Sequence, residues 1–143
     1  MTRPRADESI SPMWIAHHYP EDYDRCVRIG RTHVCRRCAV LYPVAFVTFG
    51  LALAGVHGAA SLDAWLLVLL PLPAVVEFVA EHLGWIPARA GLQVAVTVPL
   101  GIALGLGFDR YVHHPADLLW WGTVVLYGGI CLASALIGAR RST

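Results

Sequence analysis

Four apolar runs, each close to the length needed to cross a bilayer, constrain this chain more than any other feature. A helix rising about 1.5 Å per residue needs about twenty apolar residues to span a hydrocarbon core of about 30 Å. Residues 39–57, 91–108 and 118–138 contain no Asp, Glu, Lys or Arg, and residues 64–83 meet acids only at Glu77 and Glu81. With 57% hydrophobic residues and a mean hydropathy of +0.57, the chain is more apolar than a globular domain that faces water. The expected fold class is all-α: a four-helix integral membrane bundle whose first solvent for most side chains is lipid. Pro71 and Pro73 lack amide donors, so the second span is expected to bend there.

The arginines set an expected orientation. There is no lysine, and of the eleven arginines seven precede the first run, Arg89 lies between the second and third, and Arg140 and Arg141 follow the fourth. Arg110 alone falls in the link between the third and fourth runs. Short loops rich in Arg or Lys stay on the cytoplasmic face, so both termini are expected in the cytoplasm. No apolar block precedes Ala39, so no cleavable signal peptide is expected. A net charge of +1 does not support nucleic acid as a partner.

Residues 1–16 are polar and Pro-interrupted and read as a disordered tail. Residues 17–38 then gather Cys26, Cys35 and Cys38 with His17, His18 and His33, and form an expected cytosolic metal-binding segment. Cys35 and Cys38 form a C-x2-C, a turn that lets two sulfurs reach one ion, and zinc favours four thiolate or imidazole ligands in a tetrahedron. Arg36 and Arg37 stand between the two cysteines, where cationic charge favours thiolates. The expected ligands are Cys35 and Cys38 with Cys26 and one of His17 or His18. Reduced thiols with no ligand role are one competing reading, and a thiol redox pair is the other. It usually opens a helix after a strand, and no strand pattern precedes Cys35.

Glu77 and Glu81 lie four residues apart and share a helix face. Acids inside a span mark a candidate polar site, here with Arg89 across the turn; the bland reading is that Glu77 pairs with Arg89 to fix the helical hairpin. Gly101 and Gly105 form a G-x3-G, and Gly50 with Ala54 and Gly129 with Ala133 form small-x3-small pairs, all read as packing inside the bundle. Trp120 and Trp121 read as interface anchors, Cys131 as a small apolar filler, and His113 and His114 as residues of the outer loop.

These motifs together resemble a family of uncharacterised prokaryotic membrane proteins, domain of unknown function 2085. Its Cys-His-x-x-Pro-Glu segment is similar to HHYPE, with His18, Pro20 and Glu21 matching. Its Cys-x-Arg-Cys-Thr-Gly-x-Tyr segment is similar to CRRCAVLY, with Cys35, Arg37, Cys38 and Tyr42 matching, and Glu77 and Arg89 are similar to its later acid and arginine. His17 stands where the family has cysteine, and Ala39 and Val40 where it has Thr-Gly. The resemblance implies a prokaryotic plasma membrane protein and carries no activity.

The expected function is that of an interaction or assembly factor with a structural zinc ion on its cytosolic face, in contact with lipid and with other membrane proteins or itself. Two alternatives stand beside it. One is a zinc-dependent membrane hydrolase with Glu81 or Glu21 as general base. The other is an ion or proton pathway through Glu77 and Glu81.

Overall fold

The computed structural model describes Tyr23 and residues 25–56 and 58–141. The expected tail, His17, His18 and Glu21 therefore lie outside the described residues.

A short antiparallel hairpin comes first, β1 (Cys26–Ile29) and β2 (Thr32–Cys35), with Cys26 opposite Cys35 and Ile29 opposite Thr32. Only Gly30 and Arg31 join the strands, and Gly30 has φ of +62°. A two-residue hairpin loop needs left-handed backbone to match the strand twist, and glycine adopts it without a Cβ clash. The expectation that no strand precedes Cys35 is thereby corrected. Four residues of alternation are too few for periodicity to reveal a strand.

Five helices follow: α1 (Arg36–Leu53), α2 (Ala60–Leu69), α3 (Leu72–His82), α4 (Ala90–His113) and α5 (Leu118–Arg141). Among the described residues they make four spans long and apolar enough to cross a membrane, with α2 and α3 sharing the second, Leu62–His82. The break comes at Leu70 and Pro71, as the prolines require, and Pro71 begins α3 by accepting from Val75 N–H at 3.0 Å. At the other end of α3, Gly84 with φ of +76° turns the chain, while Gly84 and Trp85 N–H close on the carbonyls of Glu81 and Ala80.

Helix α1 packs chiefly on α4, and α3 on α5. Gly101 and Gly105 make the first contact possible. A Cβ on Gly105 would lie 2.6 Å from the Ala45 carbonyl oxygen and from Thr48 Cβ, and one on Gly101 would lie 2.9 Å from Val44 Cβ. This G-x3-G therefore serves packing within the bundle, as expected. Gly50 and Gly129 face open space, so the other two small-residue pairs bring no helices together among the described residues.

Outside this contact the helices present Phe46, Trp65, Val76 and Leu132, each more than 60% exposed. Such a surface is unfavourable in water and matches hydrocarbon.

Two boundaries and the placement of one tryptophan differ from expectation. Helix α1 begins at Arg36, three residues before the apolar run, because the arginines occupy the first turn. Helix α4 continues through Asp109 and Arg110 to His113, since Asp109 is buried and Arg110 reaches back to Asp117 at 2.7 Å. Trp120 is only 8% exposed and packs at a tilt against Phe108 over Gly107, inside the bundle, while Trp121 stays at the surface.

Candidate functional site

The head and the bundle meet at a buried network of charges. Glu77 and Glu81 lie on one face of α3, and both carboxylates are 5% exposed. Arg37, in the first turn of α1, donates from Nη1 to Glu77 Oε2 at 2.7 Å and from Nη2 to Glu81 Oε2 at 2.7 Å and Glu77 Oε1 at 3.3 Å. Arg25, just before β1, donates from Nη1 to Glu81 Oε1 at 2.8 Å. From α4, Gln93 Nε2 adds a bond to Glu81 Oε2 at 3.1 Å. Two guanidinium groups thus face two carboxylates, and the network is neutral in sum.

The planar guanidinium suits this arrangement because its forked donors serve both acids at once, whereas an ammonium acts as a point charge. Arg37 also lies 5.5 Å over the Phe78 ring, and Phe78 stacks on His82 with centroids 3.8 Å apart. His82 Nδ1 is fixed on the Phe78 carbonyl oxygen at 2.8 Å.

Arg89 is not a partner of Glu77. It is exposed at the start of α4, and the pairing expected across the turn is replaced by Arg37 and Arg25. Sequence reasoning missed both arginines and Gln93. A signal was present: acids near one end of a span require cations at the same depth, and Arg37 opens the first span at that end.

The thiols lie beside this network. Cys26 and Cys35 are both buried and face each other across the hairpin, and Cys38 follows in the first turn of α1, with the Cys35 thiol as its neighbour. No disulfide joins them. His33 is buried and stacks on Tyr23 at 4.0 Å. Among the described residues no three His, Cys, Asp or Glu side chains are arranged to hold a metal ion. The hairpin returns Cys35 to Cys26, and Cys38 lies three residues further on, in the first turn of α1.

Behind the network lies a cavity of about 520 Å³. Arg25, Arg37, Gln93, Cys35 and Cys38 border one part of it, and apolar side chains from α2 to α5 make most of the remaining wall. Cys131 also lines it, half-buried, and is not simply filler in a closed core. At the opposite end of the bundle, Asp117 caps α5 by accepting from Trp120 N–H at 2.7 Å and also accepts from Arg110. The Arg110 guanidinium, with that amide, holds the Asp117 carboxyl below its ordinary range. His113 stays local, bonded to the Asp109 carbonyl at 2.9 Å, and is far from the thiols in the chain's layout.

No family model, curated protein or solved structure matches this chain.

Proposed function

We propose that this is a multi-pass membrane protein whose cytosolic thiol head binds a structural zinc ion and serves as an interaction or assembly surface. The observation that carries the reading is the pairing of Cys26 with Cys35 across the hairpin, with Cys38 in the first turn of the helix that follows. One of His17 or His18 would supply the fourth ligand, giving a closed tetrahedral set with no position for water. Arg25 and Arg37 clamp that head to α3, so an ion holding the hairpin would also fix the arginines on Glu77 and Glu81. The hairpin tip, with exposed Arg28 and the 60% exposed Ile29, offers the surface for a partner. The arginine asymmetry and the family resemblance support a prokaryotic plasma membrane with this end inside.

A hydrolase or an ion pathway draws less support. Both oxygens of Glu81 already accept from Arg25, Arg37 and Gln93, which leaves the carboxylate engaged rather than aimed at a water or a passing cation.

A second reading has one specific observation behind it. Cys35 ends a strand and Cys38 lies in the first turn of the next helix, the placement of a dithiol redox pair. Elemental analysis with X-ray absorption on the purified protein separates the two. The zinc reading expects one ion per chain with only sulfur and nitrogen neighbours, lost in Cys35→Ser. Metal-free protein that loses two hydrogens on mild oxidation, with Cys35 and Cys38 joined, would replace it by the redox reading.

A further inference from the structure

The cavity invites a ligand that the thiols and the charge network do not by themselves require. Its volume of about 520 Å³ lies inside the range of about 300–1,000 Å³ typical of small-molecule sites. Away from Glu81 and the arginines, its polar wall groups bond to nearby backbone: Thr123 Oγ1 donates to the Leu119 carbonyl at 2.8 Å, Tyr127 Oη to the Val68 carbonyl at 2.7 Å and Thr97 Oγ1 to the Gln93 carbonyl, and His82 Nδ1 pairs with the Phe78 carbonyl. Such a wall offers water few partners. An empty apolar space of this size also forfeits dispersion contacts, and in a bilayer the available filler is a hydrocarbon chain.

One border is different. Arg25, Arg37 and Gln93 bring N–H donors to the cavity's edge, and a guanidinium carries five of them. Among the described residues Arg25 gives one N–H to Glu81 and remains 38% exposed. The charges there already cancel, two cations against two carboxylates 5% exposed. An anionic headgroup would meet Glu81, which lines the cavity beside these donors and already engages both arginines, whereas carbonyl or ester oxygens accept hydrogen bonds at a smaller electrostatic cost.

We propose that the cavity binds one uncharged membrane lipid, its hydrocarbon chain between α2, α3, α4 and α5 and its hydrogen-bond-accepting head against Arg25, Arg37 and Gln93. A diacylglycerol and an isoprenoid quinone share this chemistry. The site shares its polar border with Cys35 and Cys38, while Glu77 and Glu81 hold Arg25 and Arg37 there through their own hydrogen bonds.

Native mass spectrometry of the full chain in detergent tests this, with diacylglycerol, an isoprenoid quinone and phosphatidic acid added separately at equal concentration. One adduct per chain is expected with diacylglycerol or with the quinone, whichever is the source, at least about tenfold above phosphatidic acid. Val124 lines the cavity yet is 39% exposed, so Val124→Trp can fill the site without rebuilding the core; its neighbour Val125 is 69% exposed and provides the control Val125→Trp. Val124→Trp, with an unchanged helical circular dichroism spectrum, is expected to lose the adduct about tenfold while Val125→Trp keeps it. Preference for phosphatidic acid, equal adducts in both variants, or retention of neither uncharged lipid would overturn the proposal.

Discussion

Arg37 is the residue on which the head and bundle depend most. It serves both buried acids, and its removal leaves two carboxylates facing each other at the edge of an apolar interior. Breaking a buried ion pair on one side costs about 3–5 kcal/mol, whereas replacing the whole set by neutral groups is often tolerated. Arg37→Met is therefore expected to lower the unfolding free energy by about that amount, and Arg37→Met with Glu77→Gln and Glu81→Gln to recover most of it. Denaturation in detergent followed by circular dichroism measures both; a triple variant no more stable than the single one would show that charge is not the cause. Arg37→Lys should sit between wild type and Arg37→Met, since one ammonium cannot fork to Glu77 and Glu81 together.

Among the elements, the contact of α1 with α4 and the start of α5 make contrasting demands. Gly105 has no room for a side chain against Ala45 and Thr48, whereas Gly129 on α5 faces open space. Gly105→Leu is expected to destabilise by at least the 1–3 kcal/mol or so typical of overpacking, and Gly129→Ala to be neutral or stabilising by up to about 1 kcal/mol through helix propensity. Thermal melts of the two variants check the pair, and equal melts would sink the argument. At the α5 cap, Asp117 titrates lower folded than unfolded because of Arg110 and the Trp120 amide. Its contribution is present above the unfolded value of about 3.9 and is lost as pH falls through the lower folded one. Asp117→Asn keeps the capping oxygen and removes the charge, so an acid titration of stability should lose its Asp117-dependent fall below about pH 4. An identical acid limb in the variant would assign that fall elsewhere.

At the scale of the whole molecule, four spans put the hairpin and the α4 to α5 link on opposite sides of the membrane. By the arginine count we expect the hairpin on the inside. With the native cysteines replaced, Ile29→Cys is expected to react with an impermeant maleimide only after cell lysis and His114→Cys in intact cells; the reverse pattern would invert the molecule.

The apolar runs alone determined the four spans, because hydrocarbon leaves a long uncharged segment few structures besides a helix that satisfies its own amides. Pro71 likewise announced the break, and Gly101 with Gly105 the close approach, since each acts through its own backbone or missing side chain. Tertiary structure decided the rest. Glu77 and Glu81 read as unusual in the sequence, but only folding brought Arg37 to them across forty residues, Arg25 beside it, and moved Arg89 out of the account. The strand before Cys35 was equally hidden, since four residues of pattern become a strand only when Gly30 turns the chain and Cys26 comes to pair with Cys35. Local chemistry shows in a sequence because neighbours along the chain enforce it; a partner arriving from a distant segment is chosen by packing, and no single stretch records that choice.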